Sequence, residues 1–242
     1  MSQNDFRFKQ FVVRQDRCAM KVGTDGVLLG SWINPGNALR ILDIGTGTGL
    51  IALMMAQKSN AIVDAIDIDE SATQQAEENF SLSPWPDRLN ALNESLQEFT
   101  AHTQHRYDLI VSNPPYFMGA HPAPSEARNL ARHMDDALSI EELAECVKKL
   151  LTPSGQFCVI LPFMEGMKFR EYAELHGLYA SHLTKVKTKI EKQEKRLMMV
   201  FEVTRKDQVE EELVIQEEDM SYTQQYIDLT SEFYMGLPKS RN

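Results

Sequence analysis

Short apolar runs alternate with longer amphipathic stretches between Leu39 and Val203. The apolar runs predict seven strands, at Arg40–Ile44, Ile62–Asp67, Leu89–Leu92, Leu109–Ser112, Gln156–Leu161, near His182–Lys189, and at Met198–Thr204. The amphipathic stretches predict four helices, at Ile51–Lys58, Glu70–Ser81, Ile140–Leu151 and Phe163–His176. Strands that alternate with helices are typical of βα units, which predicts an α/β domain with a mostly parallel sheet and helices on both faces.

The last two predicted strands depart from this alternation of strands and helices. The last two predicted strands follow each other without a long helix, so we expect an antiparallel hairpin at a sheet edge. The pattern divides the chain into an arm (residues 1–38), a seven-stranded domain (residues 39–206) and a C-terminal extension (residues 207–242). An apolar helix face predicts that the extension packs on the core, through Tyr226, Leu229, Thr230, Phe233 and Tyr234.

Composition narrows the class of protein. With 242 residues and a hydrophobic fraction of 43%, the chain suits one domain with additions. No apolar run in the sequence approaches the roughly 18 residues that span a bilayer, and the polar N-terminus does not resemble a signal peptide. The three cysteines are far apart, which fits neither a disulfide framework nor a zinc site. We therefore expect a cytoplasmic protein without a metal ion.

Charge is unevenly distributed along the chain. A formal net charge of −10 argues against a nucleic-acid partner. However, residues 1–21 hold five basic groups against two acids, and residues 185–206 hold eight against three, whereas residues 207–242 hold nine acids against two bases. A local basic face can bind phosphate on an acidic protein. Residues 185–196 can equally be a solvated hairpin, so both interpretations stay open.

A glycine-rich turn follows the first predicted strand of the domain. Gly45, Gly47 and Gly49 stand between this strand and a helix, where a glycine backbone can approach a ligand closely. Such a turn also occurs in dinucleotide enzymes, and it can be only a tight βα connection. Asp43 precedes the glycines, and its carboxylate would repel a pyrophosphate but can pair with the ammonium of an aminoacyl ligand.

Carboxylates also follow the second strand of the domain. Asp67 ends this strand and suits the two hydroxyls of a ribose, whereas Asp69 can instead cap the next helix. Together with Asp43, they favour a nucleoside with a zwitterionic tail, which S-adenosylmethionine fits better than NAD. After the third strand, Ser95 or Glu94 can approach the adenine amine of such a ligand.

The fourth strand of the domain runs directly into Asn113, Pro114, Pro115 and Tyr116. Two consecutive prolines remove two N–H donors, so carbonyls in the turn can stay available as acceptors, and the side-chain oxygen of Asn113 adds another. Tyr116 offers a flat face on which a base or an amide can stack. An ordinary proline turn is the structural alternative. An exocyclic amine, which offers two N–H donors, fits this arrangement.

The same motif suggests a mechanism. The lone pair of an amine conjugated to a ring is delocalised, so its nitrogen is a poor nucleophile. Two acceptors that hold the amine hydrogens would localise this lone pair and stabilise the positive charge that develops during transfer. Most of the rate would come from positioning, so we nominate no catalytic His or Cys.

With these motifs, the sequence resembles the class I methyltransferases that carry an N/D-P-P-Y motif. The segment from Cys18 to Gly30, the run from Phe8 to Phe11 and the late Phe233-Tyr234 are similar to bacterial tRNA1(Val) (adenine-N6)-methyltransferases. The likeness covers nearly the whole chain. It implies a Rossmann-like fold, S-adenosylmethionine as cofactor, and methylation of N6 of the adenosine immediately 3′ of the anticodon, position 37.

The resemblance also implies roles for individual residues. Residues 1–38 would form an arm over the site, and the candidate cofactor-binding residues are Lys21, Thr24, Asp25, Asp43, Gly45, Gly47, Gly49, Asp67, Ile68, Ser95 and Leu96. The candidate catalytic residues are Asn113, Pro114, Pro115 and Tyr116. The candidate RNA contacts are Arg128, Arg132, Lys185, Lys187 and Lys189, although the two arginines can instead form salt bridges. We expect tRNA as partner and a monomer.

Several other functions share parts of this pattern. A glutamine-amide N5 protein methyltransferase would place an amide in the same turn, but such proteins usually carry a helical N-terminal domain. An rRNA or DNA amino-methyltransferase is also possible, although the short flanking segments leave little room for a DNA-recognition domain. A binding module or an NAD-dependent oxidoreductase with the same fold would have no use for Asp43 or for the turn at Asn113.

Overall fold

The computed structural model describes residues 5–18, 21–114 and 138–236. A short antiparallel pair, β1 (Phe6–Arg7) and β2 (Val12–Val13), precedes the main sheet. The eight strands of that sheet are β3 (Arg40–Ile44), β4 (Ile62–Asp67), β5 (Leu89–Asn93), β6 (Tyr107–Ser112), β7 (Leu151–Pro162), β8 (Tyr179–Lys187), β9 (Glu194–Glu202) and β10 (Val209–Val214). They lie in the order β10-β8-β9-β7-β6-β3-β4-β5.

Helices cover both faces of this sheet, as predicted. In the described residues they are α1 (Thr24–Trp32), α2 (Leu50–Lys58), α3 (Glu70–Ser81), α4 (Leu96–His102), α5 (Ile140–Leu150), α6 (Phe163–Leu175) and α7 (Gln224–Thr230). Successive strand residues point to opposite faces, so Ile41 belongs to one hydrophobic cluster and Leu42 to the other. The first cluster includes residues of α1, α2, α3 and α7, and the second includes residues of α4, α5 and α6.

The strand order places a crevice at one edge of the sheet. Strands β3 to β7 are all parallel to their neighbours within that group, with β4 and β5 on one side of β3 and β6 and β7 on the other. Ligands of open α/β sheets bind outside the carboxyl ends of the strands, where the strand order reverses. In this chain that point lies between the ends of β3 and β6, directly before Gly45 and Asn113.

The predicted antiparallel hairpin is confirmed. Strands β8 and β9 pair with each other, and β9 also pairs with β7. Strand β10 then pairs in parallel with β8, so the sheet has eight strands instead of the predicted seven. The pattern of apolar residues does not indicate β10, because an edge strand is solvated and only Leu213 of this strand is buried.

The other predicted strands and helices form, with some ends shifted by a few residues, and the structure adds elements that were not predicted, among them the pair β1–β2. Helices α1 and α4 were not predicted, since α1 is buried almost all round and α4 has only seven residues. Strand β7 begins at Leu151, earlier than predicted, because Leu151 pairs with Tyr107 across a register irregularity.

The N-terminal and C-terminal segments of the described chain pack against each other. The backbone N–H of Lys9 donates to the carbonyl of Phe233 over 2.8 Å, and Phe8 forms an antiparallel bridge with Tyr234. Tyr226 is buried in the same hydrophobic cluster as Phe8. The last helix of the described chain thus contributes Tyr226 to this cluster. Of the helices in the described ranges, none combines the length and the apolar character that a membrane span requires.

Candidate active site

The glycine turn has the backbone that its sequence predicts. Gly45, Gly47 and Gly49 have φ angles of 69°, 56° and 80°, which are in the left-handed region. At Gly49 a side chain is disfavoured by the left-handed φ and also by a neighbouring ring, because a Cβ would lie 2.5 Å from Cε1 of Phe80. At Gly45 nothing lies within 4 Å of that position. The turn is therefore closed towards α3 and open at Gly45, where a ligand can approach the backbone.

Asp43 is buried beneath this turn. Its Oδ2 accepts hydrogen bonds from Oγ1 of Thr46 over 2.7 Å and from the backbone N–H of Ala52 over 3.1 Å. Within the described residues its Oδ1 has no hydrogen-bond partner. Burial raises the pKa of Asp43 to about 7. The carboxylate thus holds the turn against α2 and keeps one acceptor for a further donor, as an ammonium group requires.

Asp67 supports the turn from the end of β4. Its Oδ2 accepts from the backbone N–H of Gly47 over 2.8 Å, and its Oδ1 accepts from the N–H of Asp69 over 3.0 Å. Burial raises the pKa of Asp67. Asp69 caps α3 by accepting from the N–H of Ser71, which confirms the structural interpretation of this residue. Ile68 lies between the two carboxylates with 56% of its surface exposed.

The residues after β5 are occupied in capping α4. Ser95 Oγ accepts from the N–H of Glu98 and donates to its carboxylate over 2.8 Å, which is a capping box. Leu96 is buried. Glu94 contacts His102, with 2.6 Å between Oε2 and Nε2. An adenine contact by Ser95 or Leu96 therefore stays a prediction.

A cavity of about 460 Å³ joins the arm, the glycine turn and the end of β6. Its volume is in the range of small-molecule sites. Candidate residues that line it are Lys21, Thr24, Asp25, Gly45, Gly47, Asn113 and Pro114. Candidate residues that do not line it are Asp43, Gly49, Asp67, Ile68, Ser95 and Leu96.

Asn113 reaches this cavity because β6 is fixed to β3. Oγ of Ser112 donates to the carbonyl of Ile44 over 2.9 Å, which joins the two strand ends where Gly45 and Asn113 begin. Both of these residues line the cavity. The other predicted residues of this region, Pro115, Tyr116, Arg128 and Arg132, lie outside the described residues.

Sequence reasoning missed Arg196, a charged residue of the cavity lining. Its Nε donates to Oδ2 of Asp25 over 2.8 Å, and both residues line the cavity. In the sequence Arg196 belongs to a basic run and resembles its neighbours. Arg196 precedes the last predicted strand, Met198–Thr204, by two residues, and the structure places it opposite Pro162 at the end of β7.

The candidate RNA-binding lysines lie on β8 and in the turn that follows it. Nζ of Lys185 is 3.0 Å from Glu210, and Nζ of Lys187 is 2.6 Å from Glu212. The hydrogen bond with Glu212 raises the pKa of Lys187. Lys189 donates to a backbone carbonyl in the loop after β10. The carboxylates of β10 thus partly neutralise the lysine charges of β8 beside them. An RNA contact by these lysines stays a prediction.

The described part of the chain contains no group of three or more His, Cys, Asp and Glu residues that could hold a metal ion. The cavity offers instead backbone and side-chain groups of the kinds that hold an uncharged or zwitterionic ligand. These groups are the glycine-turn backbone, the hydroxyl of Thr24 and the amide of Asn113.

Comparisons with known proteins agree with this arrangement. Residues 19–161 match the family model of the methyltransferase small domain. A solved structure from Agrobacterium tumefaciens, described as a predicted O-methyltransferase, is similar with a TM-score of 0.67 and 16% identity, over 86% of this chain and 96% of that chain. A methyltransferase from Pyrococcus furiosus is similar with a TM-score of 0.54 and 23% identity, over 74% and 81% of the two chains. At these identities the likeness shows the fold, which is that of Rossmann-like methyltransferases.

Curated relatives are much more similar in sequence. A protein of Bacteroides fragilis is 46% identical over 98% of this chain and 100% of its own length. A protein of Flavobacterium johnsoniae is 48% identical over 96% of this chain and 100% of its own length. Both are named tRNA1(Val) (adenine(37)-N6)-methyltransferase. The resemblance found in the sequence is confirmed, and S-adenosylmethionine is the cofactor. This chain belongs to the family of tRNA1(Val) (adenine(37)-N6)-methyltransferases.

Proposed function

We propose that this enzyme transfers the methyl group of S-adenosylmethionine to the N6 amine of adenosine 37 in tRNA1(Val). The observation that carries this proposal is that Asn113 lines the same cavity as the glycine turn. The proposed amine site and the proposed cofactor site therefore share one cavity. The names of the full-length relatives supply the nucleotide and the tRNA.

The residues present fit the cofactor. The buried Oδ1 of Asp43 lacks a partner in the described chain, and the space beside Gly45 is open. We propose that Asp43 and the glycine turn hold the methionine end, with Lys21, Thr24 and Asp25 closing it from the arm. Asp67, Ile68, Ser95 and Leu96 would surround the nucleoside end. When bound, S-adenosylmethionine supplies an electrophilic methyl group on a sulfonium sulfur.

Asn113 is the described residue that acts on the target amine. Its Oδ1 would accept one N–H group of the amine and direct the nitrogen lone pair towards the methyl group, and the motif from Asn113 to Tyr116 would supply the second acceptor. Bound S-adenosylmethionine would supply the methyl group, and Asn113 would hold the nitrogen in position to accept it. The nitrogen then loses its extra proton to water. None of the described residues that line the cavity is a His or a Cys, so these acceptors carry the step by positioning.

The substrate in this proposal is an anticodon loop. A base in a loop costs less to unstack than a base inside a duplex, so it can enter a cavity of this size. Residues 1–38 would cover the site, residues 39–206 would form the catalytic domain, and residues 207–242 would pack on it. We place the enzyme in the cytoplasm as a monomer that needs no metal ion.

Transfer of labelled methyl groups tests the proposal. The enzyme is incubated with labelled S-adenosylmethionine and bulk tRNA that lacks this modification, and the tRNA is then digested to nucleosides. We expect N6-methyladenosine in a valine tRNA. Label in protein, as a glutamine-amide methyltransferase would give, or in no tRNA would overturn the substrate.

A further inference from the structure

The catalytic cavity contains a cation that the mechanism above does not use. Arg196 is close to the start of β9, where it lies opposite Pro162, the last residue of β7, and Val186 near the end of β8. It is therefore at the carboxyl edge of the parallel strands, where the crevice lies. It lines the cavity together with Asn113 and Pro114.

Asp25 orients this guanidinium. Nε of Arg196 donates to Oδ2 of Asp25 over 2.8 Å, and Nη1 donates to the carbonyl of Lys195 over 3.0 Å. The side chains of Arg196 and Asp25 are 28% and 20% exposed. Two contacts to a planar group fix its plane, so the guanidinium faces the cavity in one orientation.

Stability alone does not account for a charged pair at this place. Removing two charges from water costs about as much as their attraction returns, and an apolar pair of similar volume is often equally stable. Asp25 and Arg196 are 171 residues apart in sequence and meet inside the cavity that holds the reacting groups. A negatively charged ligand that binds Arg196 would give the Asp25–Arg196 pair a function.

We propose that Arg196 binds a phosphate oxygen of the RNA strand beside the target adenosine, and that Asp25 positions it. This inference rests on the proposed function, because only a nucleotide chain brings phosphates next to the base. A guanidinium matches the oxygen pair of a phosphate with two parallel N–H donors. The carboxylate of the cofactor offers a similar oxygen pair, so the experiment must separate the two anions.

The test measures two dissociation constants for each variant, for unmodified tRNA and for S-adenosylhomocysteine. For Arg196→Gln we expect tRNA binding to weaken about tenfold, and the slope of log affinity against log salt to fall by about one. S-adenosylhomocysteine binding should stay within about twofold of wild type. For Asp25→Asn we expect about threefold weaker tRNA binding with the salt slope retained, because the cation is still present but no longer oriented.

Lys195→Gln is the matched control. Lys195 is the neighbouring residue on the same strand, and it is exposed and does not line the cavity. The variant removes the same charge, so a general electrostatic attraction would make its effect equal to that of Arg196→Gln. We expect less than a twofold change in tRNA affinity for Lys195→Gln.

Three results would overturn the proposal. These are equal losses in Lys195→Gln and Arg196→Gln, tighter tRNA binding in Asp25→Asn, and weaker binding of S-adenosylhomocysteine with tRNA binding unchanged. The last result would assign Arg196 to the cofactor carboxylate. If Arg196→Gln does not fold, Arg196→Lys replaces it, with weaker tRNA binding at an unchanged salt slope expected. Wild-type transfer to tRNA is measured in parallel, and its absence would reject the proposed function instead.

Discussion

The two walls of the cavity are built in different ways. The proposed cofactor wall is the glycine turn, which Asp43 and Asp67 support from outside the cavity lining through hydrogen bonds between residues only nine and 20 positions apart. The proposed substrate wall is Asn113 with Arg196, and the contact of Arg196 with Asp25 on the cofactor side joins residues 171 positions apart. The first wall is a property of two consecutive βα units, whereas the second exists only in the folded chain. Substitutions in the cofactor wall should therefore affect cofactor binding, whereas substitutions in the substrate wall should affect tRNA binding or methyl transfer.

The largest effect is expected at Asn113. Asn113→Ala removes an acceptor for the target amine without touching the glycine turn, so we expect transfer to slow by about a hundredfold to a thousandfold, as for other preorganised charge-stabilising groups. Binding of S-adenosylhomocysteine, measured by calorimetry, should remain unchanged. Asn34→Ala is a control, because Asn34 is exposed and bonds only locally to Gly36 among the described contacts. Loss of cofactor binding in Asn113→Ala would assign Asn113 to the other wall.

Gly49→Ala should destabilise the glycine turn of the cofactor wall. A Cβ at this position would overlap Phe80 and would require a left-handed φ of 80°. We expect the free energy of unfolding in urea to fall by about 2–3 kcal/mol. Gly36→Ala separates the two causes, because Gly36 has a φ of 53° but open space around it. We expect a loss of only about 1 kcal/mol there, and equal losses would mean that the contact with Phe80 is unimportant.

Asp43 should make the cofactor wall sensitive to pH. Its pKa is raised by burial to about 7 from an ordinary value of 3.8. The folded protein therefore holds this proton more tightly, so this contribution to stability is complete below pH 4 and is lost as the pH rises towards 7.

A ligand ammonium selects the ionised carboxylate, so the opposite trend is expected for binding. Affinity for S-adenosylhomocysteine should increase by about tenfold between pH 6 and pH 8. In Asp43→Asn both trends should disappear. A wild-type pH profile in that variant would show that Asp43 only closes the turn.

The same contrast explains what the sequence alone could predict. Asp43, Asp67 and the glycines stand at fixed distances after their strands, so their place at the carboxyl edge follows from the βα pattern. No pattern within β9 indicates that Arg196 meets Asp25, because that contact depends on how the arm returns to the sheet. The sequence did not predict β10, since a strand paired on one side carries little apolar patterning.

The smallest effect is expected outside both walls, at the lysines of β8. Lys185 and Lys187 already contact Glu210 and Glu212, and each of these pairs is at least partly exposed. Replacing both lysines by Gln removes attraction for phosphate, but part of that attraction is already compensated by the glutamates. We expect tRNA binding to weaken by less than about threefold and stability to change by less than about 1 kcal/mol. A loss of tRNA affinity as large as that of Arg196→Gln would show that the main RNA contact is at the hairpin and not at the cavity. It would also mean that RNA displaces the β10 carboxylates from both lysines.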